Sequence, residues 1–379
     1  MTNVEKLKRV RIEGFRSFGS IELKLRDLNV LIGANGSGKS NFVGFFNMLS
    51  FMLSGSLQTY VGRKGGGTSI LHYGPKKTPV MSAELEFEGP NGVSEYRFSL
   101  AFASPDRLLF TNEYVQFRKP REKRPFSQTL KAGQFESDLL DVATGTKTVS
   151  KVARIFINRL KGLQVYHFHD TTETAYIRTL EDVDRNRALM SNGGNLAAIL
   201  YRLSQTKPAH YSRIISTIRL AVPYLKSLIL EPDPLNADRI KLRWTDRNPD
   251  YEFGPHQLSD GSLRAIALIT ALLQPEDMLP AVILIDEPEL GLHPQAIGII
   301  GSLIKATSAK RQVIVATQSP RLLAQLSPED VVVVERSERE NAMGESKLQR
   351  LSEDELGEWL KDYDLGDLYE MNVTGGAPQ

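Results

Sequence analysis

The chain has 379 residues, of which 41% are hydrophobic and 24% are charged, and its net charge at pH 7 is +2. This composition is typical of a soluble globular protein and excludes a disordered chain. The near-neutral charge excludes a global basic field, so any nucleic-acid site has to be a local patch. The chain has no cysteine, which excludes disulfides and thiolate metal sites and is compatible with the reducing cytoplasm.

The first hundred residues predict strands around one helix. Apolar and polar side chains alternate over 10–12, 21–25, 81–87 and 96–102, and 29–32 is a short apolar run. The turn GPNG at 89–92 favours a hairpin between the last two alternating segments. Apolar residues recur at steps of three and four from Phe42 to Leu53, which predicts a helix with one buried face.

The rest of the chain divides into two further regions. We place the boundaries at 1–118, 119–250 and 251–379, and we expect the middle region to be a mainly helical insertion because 196–203 and 211–218 have helical periodicity. After residue 258, helices and strands alternate, which predicts a parallel sheet with crossover helices. A final helix is predicted from Ser352 to Tyr363, and TGGAPQ at the end reads as a loose tail.

A phosphate-binding loop is predicted between the apolar run at 29–32 and the helix that follows. Residues 33–40 read GANGSGKS and match the pattern GxxxxGK[ST], whose glycines let backbone N–H groups turn inward towards phosphates. Lys39 would neutralise phosphate charge and Ser40 would be a Mg²⁺ ligand. The further candidate nucleotide contacts in this segment are Asn35, Gly36, Ser37, Gly38 and Asn41.

A second motif, which is acidic, completes the pattern expected of a nucleotide hydrolase. Residues 282–288 read VILIDEP, an apolar strand that ends in two carboxylates at the edge where open parallel sheets place ligands. Asp286 would hold Mg²⁺ through water, and Glu287 is the candidate base that orients the attacking water. With the loop at 33–40, the motif predicts that the chain binds ATP and Mg²⁺ and hydrolyses ATP.

The segment LSDGSLR at 258–264 has two interpretations. Ser259 and Asp260 precede apolar residues at helical spacing, so the segment could simply cap its own helix. A helix N-terminus with a small hydroxyl residue also makes a good anion clamp, provided that a phosphate reaches it. The residues alone leave both interpretations open.

These motifs in this order resemble the RecF, SMC and OLD-like branch of ABC ATPases. The resemblance rests on GFRSF at 14–18, LIGANGSGKSN, LSDGSLR, LIDEPELGLHP and VIVATQSP. It implies an α/β fold, an ABC-ATPase head of the P-loop NTPase class. That fold has a mixed sheet flanked by helices, an antiparallel N-terminal β meander, and ATPase lobes at 1–118 and 251–379 around the helical insertion. It also implies that Arg16 contacts nucleotide, and that Glu289 to His293 is the D-loop.

The resemblance also implies a homodimer. In this branch the signature loop, here Ser259 and Gly261, faces the γ-phosphate held by a second subunit, so two copies complete each site. One departure is Gln318, which stands where such ATPases usually have a histidine; its amide can donate a hydrogen bond but cannot become cationic. Slow or partner-dependent hydrolysis is therefore expected. The resemblance also implies a second Mg²⁺ contact from a glutamine in a segment called the Q-loop. Gln58 and Gln116 are both imperfect candidates for that glutamine.

Partners and alternative functions are less constrained. The segment from Arg118 to Arg124 has five basic residues in seven, which fits either a DNA-backbone contact or a solvated loop. A nuclease or other effector in DNA repair or anti-phage defence is a second candidate partner. No apolar run approaches the ~18 residues that span a bilayer, so no membrane partner is expected. The alternatives are a nucleotide-gated interaction protein with little turnover and a transporter nucleotide-binding subunit.

Two further side-chain groups have features of metal sites. Glu335 ends an apolar strand as in the metal-dependent Toprim domain of OLD-like nucleases, but only 44 residues follow it here, so we expect no intrinsic nuclease. His167 and His169, beside Asp170, have spacing that puts both on one side of a strand. Because no further ligand is visible, a structural role is expected for these histidines.

Overall fold

The structure is a computed structural model that describes residues 5–122, 124–248, 250–337 and 344–376. The strands are β1 (Lys6–Phe15), β2 (Phe18–Lys24), β3 (Leu28–Ile32), β4 (Val80–Gly89), β5 (Gly92–Ala103), β6 (Arg107–Arg118), β7 (Phe126–Thr129), β8 (Leu163–Tyr166), β9 (Glu181–Asp182), β10 (Ser227–Ile229), β11 (Arg239–Ile240), β12 (Arg243–Thr245), β13 (Val282–Asp286), β14 (Gln312–Ala316), β15 (Val331–Arg336) and β16 (Ser346–Arg350).

The first α-helix follows β3. The α-helices are α1 (Lys39–Met52), α2 (Leu57–Arg63), α3 (Gly67–Ile70), α4 (Leu139–Ala143), α5 (Thr148–Lys161), α6 (Leu196–Thr206), α7 (Pro208–Ala221), α8 (Asp260–Leu273), α9 (Pro294–Ser308), α10 (Pro320–Leu323), α11 (Glu353–Leu356) and α12 (Leu365–Glu370). Short 3-10 helices cover Tyr176–Arg178, Pro255–Gln257, Pro328–Asp330 and Trp359–Lys361.

The N-terminal strands form an antiparallel sheet in the order β2-β1-β4-β5-β6-β7. The hairpin between β4 and β5 closes with Gly89 opposite Gly92, as the turn residues predicted. Buried and more exposed residues alternate along β4, because one face of the sheet packs on the core and the other faces solvent. The antiparallel N-terminal meander is thereby confirmed.

The second sheet has the order β16-β15-β3-β14-β13-β8, and every pairing in it is parallel except that of β16 with β15. All residues of β3 and of β14 are buried, as expected for central strands covered on both faces. Side chains alternate between two cores: Leu284 packs towards the antiparallel sheet, and Ile283 packs towards α8. This central sheet therefore separates two hydrophobic layers.

Helix α1 lies between the two sheets. Its apolar side chains, including Phe42, Phe45 and Phe46, are fully buried, and Phe45 stacks on Phe98 of β5 at a centroid distance of 6.5 Å. On the other face of the central sheet, α7, α8 and α9 pack on one another. The helix that starts at the P-loop is thus clamped between the sheets, which fixes the position of its N-terminus.

The middle region contributes to the central sheet as well as carrying helices. Within 119–250 the structure has helices α4 to α7, and the same region supplies β8, which pairs with β13 in parallel. The boundaries at 118 and 250 remain a prediction. The edge strand that this region provides runs directly beside the strand carrying Asp286.

Two C-terminal predictions are wrong. The helix predicted from Ser352 to Tyr363 is broken into α11 and a 3-10 turn, because its periodic aromatics find no core: Trp359 is 48% exposed and Tyr363 is 43% exposed. The predicted loose tail is packed over 374–376, where the Gly376 N–H donates to Glu335 at 3.1 Å. Residues 377–379 lie outside the described part of the chain.

Candidate functional site

The P-loop spans the turn from β3 into α1. Gly38 is the residue just before α1, with φ of 121°, a conformation that L side chains rarely adopt. A Cβ at this position would come within 2.5 Å of the Ser346 hydroxyl and 2.9 Å of the Ser17 hydroxyl. Glycine is therefore required here, and it leaves the N–H groups at the start of α1 available for an anion.

Lys39 lies inside this loop. Its Nζ donates to the carbonyl of Gly33 at 2.5 Å and to that of Ala34 at 3.0 Å, and its side chain is buried. Burial lowers the pKa of Lys39, whereas the nearby carboxylates of Glu287 and Asp286 oppose that shift. The ammonium is held in the loop by weak carbonyl partners, so a phosphate would replace them with a stronger charge-assisted interaction.

The acidic pair lies two strands away from β3, at the end of β13. Burial raises the pKa of Asp286, whereas His169, the nearby Ser40 hydroxyl and Lys39 oppose that shift. Its Oδ1 oxygen is buried and has no partner in the described chain. A carboxylate with an orphaned oxygen beside a hydroxyl is a donor set that suits Mg²⁺, which prefers oxygen ligands. Ser40 and Asp286 would hold the ion, and the ion would neutralise phosphate charge.

Glu287 adopts a strained backbone conformation directly after that strand. Its φ is +45°, and its N–H donates to the Ala316 carbonyl of β14 at 2.8 Å. A non-glycine residue in the left-handed region costs of order 1 kcal/mol or more and persists where the surroundings impose it. The hydrogen bond to β14 imposes it here. The chain therefore turns away from the sheet at the C-terminal end of β13, the edge where parallel sheets place ligands.

Gln318 is brought to the P-loop by the end of β14. Its side-chain Nε2 donates to Asn35 Oδ1 at 2.6 Å, and its N–H donates to Glu289 Oε1 at 2.9 Å. The same Glu289 oxygen accepts from the Thr317 hydroxyl at 2.7 Å, while burial raises the pKa of Glu289. The Glu289 carboxylate therefore holds Gln318 against the P-loop.

Arg16 is on the turn between β1 and β2, and its side chain contacts the start of α1. Its guanidinium donates to Asn41 Oδ1 at 3.4 Å and to the hydroxyl of Tyr60 at 3.3 Å. Asn41 in turn donates to the Ser17 hydroxyl at 2.8 Å. The structure therefore brings Arg16 and Asn41 together beside the P-loop. Tyr60, on α2, was not visible as a site residue in the sequence because its partners are distant along the chain.

The signature segment caps its own helix. Ser259 accepts the Ser262 N–H at 3.2 Å and donates to the Ser262 hydroxyl at 2.8 Å, and Tyr224 donates to the same hydroxyl at 2.7 Å. Gly261 lies against the D-loop, since a Cβ there would come within 2.1 Å of the Gly291 carbonyl. The two loops are thus packed backbone to backbone.

The signature segment and the P-loop line different cavities. Ser259, Gly261 and Gly291 border a cavity of about 370 Å³, whereas Ala34 to Ser37 border one of about 460 Å³ with Glu335 and Arg336. The two cavities share no lining residue among the described residues, and the cavity at Ala34 to Ser37 does not include Lys39, Ser40 or Asp286.

Two residues near the acidic pair have no counterpart among the predicted site residues. His169 follows β8, and its Nε2 is 2.8 Å from the Asp286 carbonyl oxygen. Arg264, on α8, donates to the carbonyls of Phe168 at 3.1 Å, His169 at 2.8 Å and Leu290 at 3.0 Å. Arg264 therefore ties the signature helix both to the segment beside Asp286 and to the D-loop.

We expect Arg264→Lys to lower the free energy of unfolding by about 2–4 kcal/mol. A lysine ammonium cannot hold three carbonyls in the fixed fork of a guanidinium, and each acceptor left unpaired costs about 1–3 kcal/mol. Denaturant unfolding measures the change. The matched control is Arg321→Lys, at an exposed position of α10. An equal, small change in both variants would contradict the role assigned to Arg264.

The remaining candidates do not join the site. Gln58 donates to the carbonyls of Leu108 and Phe135, and Gln116 accepts from Tyr114, so both side chains are engaged in hydrogen bonds with β6 or the segment after β7. Burial lowers the pKa of His167 to about 4. Among the described residues, no group of three His, Asp or Glu side chains could hold a metal ion. The basic segment 118–124 lies on the hairpin between β6 and β7, and Lys123 is outside the described residues.

This fold and this clustering of motifs define a P-loop ATPase of the RecF, SMC and OLD-like branch of ABC ATPases. Residues 28–324, more than three quarters of the chain, match the family described as "AAA domain, putative AbiEii toxin, Type IV TA system". The chain belongs to that family. No helix in the described part of the chain is both long enough and apolar enough to cross a membrane.

Relatives of known structure and function agree with this assignment. An OLD nuclease of Thermus scotoductus is 23% identical over 382 residues, which is 96% of this chain and 68% of that protein. A crystal structure of an SMC head bound to the C-terminal winged-helix domain of ScpA matches with a TM-score of 0.59 at 17% identity, covering 92% of this chain and 98% of the other. The SMC head of Pyrococcus furiosus, with an extended coiled coil and bound to the C-terminal domain of ScpA, gives 0.56 at 15% identity over 94% and 99%. These likenesses establish the fold.

Proposed function

We propose that the chain is an ATP-gated homodimer with two composite ATP sites. One copy would bind ATP and Mg²⁺ with Lys39, Ser40 and Asp286, and Glu287 would orient the attacking water. The second copy would present Ser259 and Gly261 to the γ-phosphate. The observation that carries this proposal is that Ser259 is exposed at the N-terminus of α8 and bonds to its own helix but to no P-loop residue among the described contacts. A phosphate for it would then come from elsewhere.

The geometry of the interface loops supports this arrangement. Ser259 is exposed and Gly261 lies on the Gly291 carbonyl, so the signature and D-loop segments form one surface next to an open cavity. Leu290 of the D-loop is 41% exposed and is part of this surface. A head-to-tail pair would cover this surface in both copies.

Closing and opening of the dimer would then control DNA or an effector protein. The likeness to an OLD nuclease and the toxin description of the family support a role in anti-phage defence or DNA repair, with a nuclease or toxin as the controlled partner. The absence of cysteine fits the reducing cytoplasm, which we propose as the location.

A second candidate function is a nucleotide-gated interaction protein with little turnover. Gln318 favours it, because the residue that contacts Asn35 at the P-loop is a neutral amide rather than a group that can become cationic. ATP would then act chiefly to hold two copies together. Hydrolysis rates distinguish this function from an ATP-cycling dimer.

We expect ATP with Mg²⁺ to double the mass of the purified full chain in solution. Light scattering with and without nucleotide measures the change, and Lys39→Met is the control, since it removes the ammonium that the P-loop holds. A preparation that binds ATP but keeps its mass would contradict the proposed dimer. A mass change without measurable hydrolysis would favour the second candidate function.

A further inference from the structure

One stretch of the chain carries a large net positive charge. Residues 118–161 contain eleven Lys and Arg and four Asp and Glu, a net charge of +7, whereas the whole chain has +2. The remaining residues are therefore net negative by five charges. Such a local excess is the electrostatic signature of a surface that attracts polyanions.

Helix α5 concentrates this charge on one side. At about 100° per residue, five positions fall within an arc of about 80°. These positions are Lys147, Lys151, Arg154, Asn158 and Lys161, which we call the basic stripe; all of them are exposed. The opposite side of α5 is buried in the core through residues such as Phe156 and Leu160. The helix contains no acidic residue, so no carboxylate of its own neutralises the stripe.

The basic hairpin between β6 and β7 lies against the same helix. Phe117, at the end of β6, lines a cavity of about 440 Å³ together with Ile155 and Asn158 of α5. The Arg159 guanidinium lies 6.0 Å from the centre of the Phe117 ring. Arg118 follows Phe117 directly. The exposed cations of this hairpin are Arg118, Lys119, Arg121 and Arg124, and the hairpin continues from the end of β6, the strand that packs on α5.

The carboxylates of this stretch are mostly engaged in contacts of their own. Glu122 pairs with Lys119 at 3.1 Å, Glu136 accepts the N–H groups of Leu57 and Gln58, and Asp138 is buried. Asp141, on α4, is exposed.

The lysines of the stripe are not neutralised by ion pairs. Lys147, Lys151 and Lys161 have no carboxylate within 4.0 Å among the described residues. Their charge is therefore directed to solvent, where it is free to meet an external anion. Lysines on flexible stems suit phosphates as mobile point charges, without requiring a fixed geometry.

We propose that the basic stripe, together with Arg118, Lys119, Arg121 and Arg124, binds the phosphodiester backbone of a duplex nucleic acid. The stripe is about 21 Å long, which corresponds to about six nucleotide steps along one strand. Point charges in a row, without an aromatic platform in the stripe, suit backbone contacts rather than base recognition. The proposal supplies the nucleic-acid partner of the proposed function, but the binding itself does not require ATP.

The test compares two triple variants of the full chain. Lys147→Gln/Lys151→Gln/Lys161→Gln removes three charges from the stripe. Lys76→Gln/Lys77→Gln/Lys226→Gln makes the same change in net charge at exposed lysines on other elements. Fluorescence anisotropy with a labelled DNA duplex of about 24 base pairs, titrated from about 50 to about 200 mM salt, gives affinity and salt dependence.

We expect the stripe variant to bind the duplex about tenfold or more weakly, with the slope of log affinity against log salt reduced by about 2–3. The control variant should bind like the wild type. The same titration with an RNA duplex of the same sequence shows whether the surface prefers DNA or RNA. Binding of either duplex that is weakened in the stripe variant supports the proposal. Equal losses in both variants, or no binding of either duplex by the wild type, would overturn it.

Nucleotide binding by the stripe variant separates this test from the proposed function. Helix α5 supplies no residue of the P-loop or of the acidic pair, so ATP affinity and the ATP-dependent mass should stay unchanged. Loss of duplex binding with intact ATP-dependent dimerisation supports the surface assignment. Intact duplex binding in the stripe variant overturns the surface assignment and leaves the ATPase proposal standing.

Discussion

Glu287→Gln should reduce ATP hydrolysis by about 10²–10³-fold while ATP binding persists. The amide keeps the shape of the side chain and the backbone hydrogen bond from residue 287 to Ala316, but it cannot accept a proton from water. Steady-state phosphate release measures the rate, and fluorescent nucleotide binding measures the affinity. Because hydrolysis is blocked, the ATP-bound dimer should accumulate.

The control for Glu287→Gln is Glu370→Gln, a matched change at an exposed position of α12. It should leave the rate within about twofold of the wild type, as expected for a surface change away from the site. Unchanged hydrolysis in Glu287→Gln would mean that another group orients the water. Loss of ATP binding in that variant would instead indicate that residue 287 shapes the P-loop side of the site.

Ser259→Arg should abolish ATP-dependent dimerisation, measured as solution mass in the Glu287→Gln background. A bulky cation at this exposed position would occupy the space of the neighbouring copy's phosphate loop. ATP binding to the single chain should survive, because Ser259 bonds to Ser262 of its own helix and to no P-loop residue among the described contacts. Hydrolysis should fall with dimerisation.

Ser259→Ala separates the capping role of Ser259 from its proposed role across the interface. The hydroxyl caps α8 by accepting the Ser262 N–H, so alanine should cost about 1 kcal/mol in unfolding free energy without adding bulk. If Ser259 serves only its own helix, the arginine variant should dimerise as well as the alanine variant does. That result would remove the main support for the composite site.

The motifs that could be predicted from the sequence are the local ones. Lys39 and Ser40 lie within one turn of backbone, and Asp286 and Glu287 follow one apolar strand, so neighbouring residues specify each group. The alternating sheet patterns were predictable for the same reason. In these segments each side chain's burial is decided by the element that carries it.

The unpredicted contacts join segments that are far apart in the chain. Arg264 and Phe168 are separated by 96 positions, and His169 and Asp286 by 117, so no periodicity links them. The broken C-terminal helix is the opposite case. Its local pattern was helical, but Trp359 found no partner surface, and Asp364 began a new helix by capping α12. Tertiary packing overrode propensity there.

The close contact between Gly261 and the Gly291 carbonyl has a consequence for engineering. Because no side chain fits between these backbones, neither loop can be exchanged without matching the contour of the other. Arg264, which donates to the Leu290 carbonyl, ties them a second time. A chimera that imports the signature loop of an SMC head therefore has to import the D-loop with it, as a single transplanted unit.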